Sequence, residues 1–420
     1  MSAAALMERP ATVPQPAIPP QIPAAGYFGW PLLFQWGFST MFGWGVFGLN
    51  LLRHWESVAG TPVYCGGHMH VDSLAGLDPL AMRALMPKLI ESSDLRSRWP
   101  AMMANGNRFD GLVLHCLGNR LSGSRLGEGG VAGRATCAVI FFEDTILPDA
   151  TRIAADYNLI VAGSTWCEEI LRARGVTNVA TVIQGIDPSI FHPAPRAGSL
   201  EGRFAIFSGG KLENRKAQDL VLRAFVAFAQ RHPEAILVTA WHSPWPVVAQ
   251  TINRNPGIVP VALNDRGEVD VTAWARANGV GEHQFIDVGS IPNHLMARVL
   301  REMDVALFPN RCEGGTNLVA MECMACGVPT ILSDNTGHKD ILAMRASLVL
   351  TRQRPVQSEI MGTEGWGESD ISEIVETLEL VWSDRERARR IGAAGARAMA
   401  RMSWRQQIGE LYSTIAPCCA

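Results

Sequence analysis

Two lysines and two glutamates stand where their types and spacing suit the handling of a phosphorylated ligand. Lys211 and Lys216 lie in the run Ser208-Gly-Gly-Lys-Leu-Glu-Asn-Arg-Lys-Ala-Gln-Asp, between an apolar strand pattern and a helical one. Gly209 and Gly210 let backbone N–H groups approach an anion, and the helix that follows adds the positive end of its dipole. With Arg215 beside them, the two lysines carry enough charge to neutralise a diphosphate; a solvated basic turn is the plainer alternative. Glu313 and Glu322 lie in Phe308-Pro-Asn-Arg-Cys-Glu-Gly-Gly-Thr-Asn-Leu-Val-Ala-Met-Glu-Cys-Met-Ala-Cys-Gly-Val-Pro. There Gly314 and Gly315 open a helix starting near Thr316 or Asn317, whose first amides suit a phosphate or a sugar hydroxyl. Glu322 is flanked by Met321, Cys323 and Met324, so its carboxylate is expected to be partly buried and to need a polar partner. The two hydroxyls of a ribose would supply one; a structural salt bridge would also do. For Glu313 the alternative is an exposed loop acid.

The elements that position these residues follow from the apolar pattern. Strands are expected at Pro31–Trp36, Pro62–Cys65, Gly111–Cys116, Cys137–Phe142, Leu159–Ala162 and Val179–Ile183, with helices such as Gly48–Trp55 and Trp166–Arg174 between them. Thr165 reads as the N-cap of the latter, with Glu168 completing a capping box. A Pro-, Gly- and Ser-rich linker follows at His192 to Gly202. The pattern then restarts: strands at Phe204–Ser208, Ala235–Ala240, Gln284–Val288, Val305–Phe308 and Thr330–Leu332, and helices at Ala217–Arg231, Leu295–Glu302 and Leu318–Cys326. From Ile371 to Ile415 the chain reads as almost all helical. Two βα-repeating halves imply an α/β protein of two Rossmann-like domains facing a cleft, with ligands beyond the carboxyl ends of the strands.

Composition narrows the function classes. The 420 residues carry a net charge of −3, which leaves no basic footprint for nucleic acid. Nine scattered cysteines in a large chain read as reduced thiols rather than a disulfide framework. Residues 1–25, rich in Ala and Pro, read as a disordered tail. No residue from Pro10 to Leu52 is charged, which raises a membrane segment, but glycines and Gln35, Ser39, Thr40 and Asn50 interrupt it. A buried strand, a glycine loop and a buried helix are the favoured reading, in a cytoplasmic protein with peripheral membrane contact left open. Cys65-Gly-Gly-His68-Met-His70 holds metal-ligand types without a fourth partner nearby, and Cys323 and Cys326 lie inside a helix. Neither is read as a metal or redox site.

The chain resembles the retaining GT-B glycosyltransferases of the large family 4, or group 1. That family has Glu-Gly-Phe-Gly-Leu after a strand, then a helix with a second Glu and Ala-Met-Ala-Cys-Gly-x-Pro-Val. Here stand Glu313-Gly-Gly-Thr-Asn-Leu and Glu322-Cys-Met-Ala-Cys-Gly-Val-Pro-Thr. The loop at Lys211 and Lys216 is similar to its Gly-Arg-Leu-x-x-x-Lys-Gly, and Gln184-Gly-Ile-Asp-Pro-Ser-Ile-Phe-His-Pro to its interdomain Asn-Gly-Val-Asp-x-x-x-Phe-x-Pro. The resemblance implies an acceptor-side domain over 26–196, a nucleotide-sugar-binding domain over 197–395, and a terminal helix in 396–420 that returns to the first domain. It also implies transfer of a hexose from a UDP- or GDP-sugar to a glycan, lipid or other hydroxyl acceptor, with no metal and no resident cofactor. Lys211 and Lys216 would hold the diphosphate, Glu322 the ribose, and Glu313 with the amides of Gly315, Thr316, Asn317 and Leu318 the sugar. Gly43 and Gly45 would form a glycine loop over the phosphates, with a glycine-loosened start of a hydrophobic helix as the alternative. His115 would end a strand near the sugar, with Glu143 and Asp144 ending the next. Two departures stand out: eight residues separate the glutamates where the family has seven, and lysine replaces arginine at 211, which loses the bidentate fork. A non-hydrolysing nucleotide-sugar epimerase and a non-catalytic sugar-nucleotide-binding scaffold are the competing readings.

Overall fold

The computed structural model describes residues 29–67, 71–104, 108–123 and 130–419. The expected N-terminal tail, His68 and His70 lie outside these residues. Six short apolar runs form the first sheet: β1 (Leu32–Phe34), β2 (Val63–Cys65), β3 (Leu112–Leu117), β4 (Ala135–Ile140), β5 (Leu159–Ala162) and β6 (Val179–Thr181). They are parallel, in the order β2-β1-β3-β4-β5-β6. Runs such as Ala-Thr-Cys-Ala-Val-Ile are continuously apolar because helices cover both faces of the sheet. Those helices include α1 (Gly43–Ala59), α2 (Pro79–Ala104), α3 (Ala150–Ala154) and α4 (Thr165–Ala173).

The second sheet repeats the plan with β7 (Phe204–Gly209), β8 (Ala235–Ala240), β9 (Phe285–Asp287), β10 (Val305–Phe308), β11 (Thr330–Ser333) and β12 (Leu348–Leu350). Its order is β12-β11-β10-β7-β8-β9, again parallel. Helices α5 (Gln218–Ala229), α6 (Val271–Ala277), α7 (Asn293–Leu300), α8 (Leu318–Ala325) and α9 (His338–Leu342) connect its strands. A two-stranded antiparallel hairpin, β13 (Gln353–Pro355) and β14 (Gly367–Ser369), precedes α10 (Ile371–Ser383) and α11 (Arg385–Met399). The strand order reverses between β7 and β10, so a crevice opens at their carboxyl ends. That crevice receives both loops singled out from the sequence.

The chain finally returns to the first sheet. Ile186 and Ser403 pair in parallel, with Ile186 N–H donating to Met402 O at 2.8 Å and Trp404 N–H to Ile186 O at 2.9 Å. Helix α12 (Trp404–Ile415) then buries Trp404, Ile408, Leu411 and Tyr412 against α1, with the rings of Phe47 and Trp404 stacked at 5.4 Å. No helix among the described residues is long and apolar enough to cross a membrane.

Three local expectations need correction. Helix α1 begins at Gly43, five positions before the expected start, so Gly43 and Gly45 form its first turn instead of a loop. Gly45 sits so close to Ser39 that a Cβ there would come within 2.1 Å of Ser39 Oγ. The N-cap of α4 is Ser164, which accepts from Cys167 N–H at 3.2 Å, whereas Thr165 spends its hydroxyl on Asp340. Glu168 completes no capping box; it bonds Arg172 and Thr181. Helix α2 was not foreseen, because Pro87 and Pro100 interrupt it and its apolar positions lack a clear period.

Candidate functional site

The two chemistry-bearing loops meet at the β7–β10 crevice. Gly210 adopts φ +120°, a conformation that favours glycine, and lies in contact with Lys216, where a Cβ would stand 3.4 Å from the lysine side chain. Gly209 is the tighter approach, since a Cβ there would come within 2.9 Å of Val319 at the start of α8. A 3-10 turn over Asn214–Lys216 ends at Ala217 in the left-handed region, and it turns Lys216 inward. Lys216 Nζ lies 2.5 Å from Glu313 Oε1, and Arg215 Nη1 lies 3.1 Å from Glu313 Oε2. Asn310 donates to the same carboxylate. Burial alone would raise the Glu313 carboxyl, but Lys216 and Arg215 outweigh it and hold its pKa at about 2. Burial lowers the Lys216 ammonium against the upward pull of Glu313. Lys211 stands apart: its ammonium is 3.6 Å from Glu213 and 5.4 Å from the centre of the exposed Trp245 ring.

The extra residue between the glutamates is absorbed immediately before α8. Asn317 caps that helix with φ +64°, accepting from Ala320 N–H and donating to His338 Nε2 at 3.0 Å. His338 Nδ1 therefore carries the proton and faces Ser333; burial keeps this ring neutral, its pKa lowered to about 4. Thr316 is fully buried, with its hydroxyl 3.0 Å from Met321 Sδ. The side chains of Thr316 and Asn317 are thus spent inside the protein. The backbone N–H groups of Gly315, Thr316, Asn317 and Leu318 take no acceptor among the described residues. Glu313 is held on its backbone too: its N–H donates to Thr336 Oγ1 at 2.8 Å and its carbonyl accepts from Gly337 N–H at 3.0 Å.

Glu322 lies farther along α8 and is 3 % exposed. Asn293 Nδ2 donates to its Oε1 at 2.5 Å, while Asn293 N–H reaches Thr40 O in the first half of the chain at 2.6 Å. Burial pushes the Glu322 carboxyl up to about 8, against the lowering effect of Asn293. The expected polar partner is therefore a neutral amide, not a cation.

The first half meets this loop directly. Ser164 Oγ donates to Gly314 O at 2.8 Å, and a Cβ on Gly315 would come within 3.0 Å of the Phe141 ring. Trp44 in turn packs edge-on against Phe141 at 4.9 Å, which links the Gly43–Gly45 turn to Gly315 through two aromatic rings. Glu143 reaches Arg215, with Oε1 3.4 Å from Nε. His115 is the clear correction. It lies within β3, fully buried, with Nε2 donating to Val131 O at 2.9 Å and Nδ1 accepting from Tyr157 hydroxyl at 3.1 Å. Both ring nitrogens are committed to the interior, so His115 does not face the Glu313 loop.

Sequence reasoning missed Arg311, which is 1 % exposed and grips Asp219 with two hydrogen bonds of 2.8 and 2.7 Å, Asn214 O at 2.8 Å and Glu368 at 2.9 Å. It also missed Asn310, Thr336 and His338. The last two follow β11, where the rule that ligands lie beyond strand ends could have pointed to them. Among the described residues no group of three or more His, Cys, Asp or Glu is placed to hold a metal ion. All nine cysteines are free, Cys323 and Cys326 buried among them.

The family described as "Glycosyl transferases group 1" matches residues 194–398. A GDP-mannose-dependent alpha-(1-6)-phosphatidylinositol dimannoside mannosyltransferase from two strains of Mycobacterium tuberculosis is 27% identical over 197 residues, covering 46% of this chain and 45% of the relative. The chain thus matches about half the length of these relatives. Among solved structures, a sucrose-phosphate synthase from Thermosynechococcus elongatus aligns over 92% of this chain and 99% of its own, with TM-score 0.61 and 15% identity. The Anabaena protein HepE, in complex with UDP, aligns over 92% and 99% with TM-score 0.56 and 11% identity. Residues 194–398 thus match the glycosyl transferases group 1 family, and the two parallel sheets with helices returning to the first make the GT-B fold expected from the sequence.

Proposed function

We propose that the protein is a retaining glycosyltransferase that moves a hexose from a nucleotide diphosphate sugar, UDP- or GDP-linked, to a hydroxyl acceptor on a glycan, lipid or small molecule. The observation that carries this reading is the meeting of Lys216, Arg215 and Glu313 beside four backbone N–H groups at the start of α8 that take no acceptor among the described residues. Fixed cations and oriented amides stabilise a departing diphosphate in a site sheltered from water, a contribution of several kcal/mol. In the reaction the bond from the sugar's anomeric carbon to phosphate breaks and a bond to the acceptor oxygen forms on the same face. The acceptor's proton passes to the departing phosphate oxygen, so no side-chain nucleophile, metal or resident cofactor is called on.

In this reading Lys216, with Lys211 at the mouth of the loop, neutralises the diphosphate, and the amides of Gly315 to Leu318 add hydrogen bonds. Glu313 receives hydroxyls of the sugar and Glu322 those of the ribose, exchanging its Asn293 partner. The GDP-mannose dependence of the mycobacterial relative favours testing GDP-mannose, and the UDP bound by the Anabaena protein favours UDP-sugars as the other arm. A thermal-shift panel of UDP-, GDP- and ADP-sugars, followed by turnover assays with the stabilising donor, tests the proposal. A donor that raises the melting temperature and is consumed with an acceptor supports it; stabilisation without transfer favours a scaffold, and interconversion of the sugar favours an epimerase.

A further inference from the structure

Arg215 is where three carboxylates and both halves of the chain converge. Its Nη1 lies 3.1 Å from Glu313, its Nη2 2.8 Å from Glu213 and its Nε 3.4 Å from Glu143. Glu143 comes from the loop after β4 in the first half; the other two belong to the second. Lys216 and Lys211 complete the cluster, 2.5 Å from Glu313 and 3.6 Å from Glu213. Three cations thus face three carboxylates, and the protein's own charges cancel within the loop. The three acids together hold the Arg215 guanidinium charged against the cost of its burial.

The contacts are not equally tight. Glu313 is bonded by Lys216, Arg215 and Asn310. Glu213 is 9 % exposed, and its Oε1 takes no aligned hydrogen bond despite its closeness to Arg215. Among the described residues the Glu143 carboxylate meets only Arg215, at a distance too long for a strong bond, and so keeps its accepting capacity. Its backbone, by contrast, is pinned on both sides. Glu143 N–H donates to Asn119 Oδ1 at 2.7 Å, and its carbonyl accepts from Trp366 Nε1 at 3.0 Å. The side chain is held at the Glu313 loop by its main chain, not by its own partners.

A diphosphate on these cations competes with the carboxylates for the same N–H groups. The displaced carboxylates stand in a largely buried site and need donors there, because an ionised group without hydrogen bonds is costly. A nucleotide diphosphate sugar delivers such donors with its own diphosphate: the hydroxyls of the sugar. We propose that Glu143 is a further donor-recognition residue, held near Arg215 in the free chain, freed by the incoming diphosphate, and then accepting hydroxyls of the transferred sugar opposite Glu313. The inference rests on the donor-site reading above.

The test is calorimetric titration of the full chain, wild type, Glu143→Gln and Glu143→Ala, with UDP, GDP, UDP-glucose and GDP-mannose. Thermal melts check that both variants fold. In the alanine variant the bare nucleotide diphosphate is expected to bind at least as tightly as in the wild type, because one competing anion has gone. The additional affinity contributed by the sugar should fall by about tenfold or more, the worth of a hydrogen bond to a charged group. The glutamine variant should lie between. An unchanged ratio of sugar-nucleotide to bare-nucleotide affinity in both variants overturns the proposal. So does a parallel loss for both ligands, which would make Glu143 only a loop anchor. A wild-type chain that binds none of the four probes overturns the donor-site reading itself, an outcome distinct from lost sugar discrimination with bare-nucleotide binding kept.

Discussion

Lys216 and Glu313, 97 residues apart in the chain, meet at 2.5 Å with both side chains almost withdrawn from solvent. A pair so enclosed costs much to desolvate and is retained where its geometry is used. Lys216→Ala should lower turnover by about a hundredfold to a thousandfold, the loss typical of removing one fixed donor from a transition state. Steady-state kinetics with the cognate donor measure this. Wild-type rates in both Lys216→Ala and Glu322→Ala would remove the site assignment.

Arg311 should matter to stability before it matters to chemistry. Arg311→Met leaves the buried Asp219 without its cation, although Asn255 still donates to it, and breaking a buried pair in this way costs about 3–5 kcal/mol. Urea unfolding gives the loss. The Arg311 side chain also donates to Asn214 O at 2.8 Å, so the variant's residual activity should reflect a displaced Arg215–Lys216 turn.

The two glutamates set opposite dependences on pH. The Glu322 carboxyl, ordinarily at 4.5, sits at about 8 in the folded chain, so the folded state keeps a proton that the unfolded chain has released. Stability from this group falls as pH rises from about 4.5 to about 8. Glu313, held at about 2, contributes stability above 4.5 that is lost as pH falls toward 2. Urea midpoints across this range should show a decline on the alkaline side for the wild type, and Glu322→Gln should flatten it while leaving the acid side unchanged.

His115→Leu tests the correction made for this residue. It strips Val131 O of its donor, a loss of about 1–3 kcal/mol, and should leave turnover within about twofold of wild type. Turnover that collapses while the melting temperature holds would return His115 to the site.

The loop between β13 and β14 should act as a clasp between the halves. Trp366 from this loop is buried in the first half's core, Gly362 bonds both Asp144 and Thr145, and Glu364 pairs with Arg174. Trp366→Ala should lower stability by about 3–5 kcal/mol and expand the chain in solution scattering. A donor at saturation should compact that variant again. Scattering curves identical to the wild type would show that the clasp does not hold the halves together.

Much of the fold was legible because parallel strands buried on both faces are continuous apolar runs. β5, β8 and β10 lie where the pattern put them. The helix α2 was hidden by its prolines, and the start of α1 by Gly43, Gly45 and Gly48, which read as a loop although Gly45 and Gly48 are helical residues that approach other chain segments closely. The loops at Lys216 and Glu313 were legible because glycine, charge and the strand-to-helix change coincide there. The link from Glu143 to Arg215 and the fourfold grip of Arg311 were not, since each depends on segments distant in sequence meeting at one side chain. His115 misled because a histidine in a strand pattern carries no mark of whether its nitrogens are already bonded.

The packing of α12 on α1 has a consequence for how the chain is made. Trp404, Ile408, Leu411, Tyr412 and Ile415 fill the same core as Leu32, Phe34, Leu51 and Trp55. During synthesis, the segment from Leu32 to Trp55 therefore waits for Trp404 to Ile415 before its interior is complete, while residues 204–399 can collapse in between. A ribosome that pauses before codon 404 leaves the apolar face of α1 uncovered, and that interval is when the newborn chain is most exposed to aggregation.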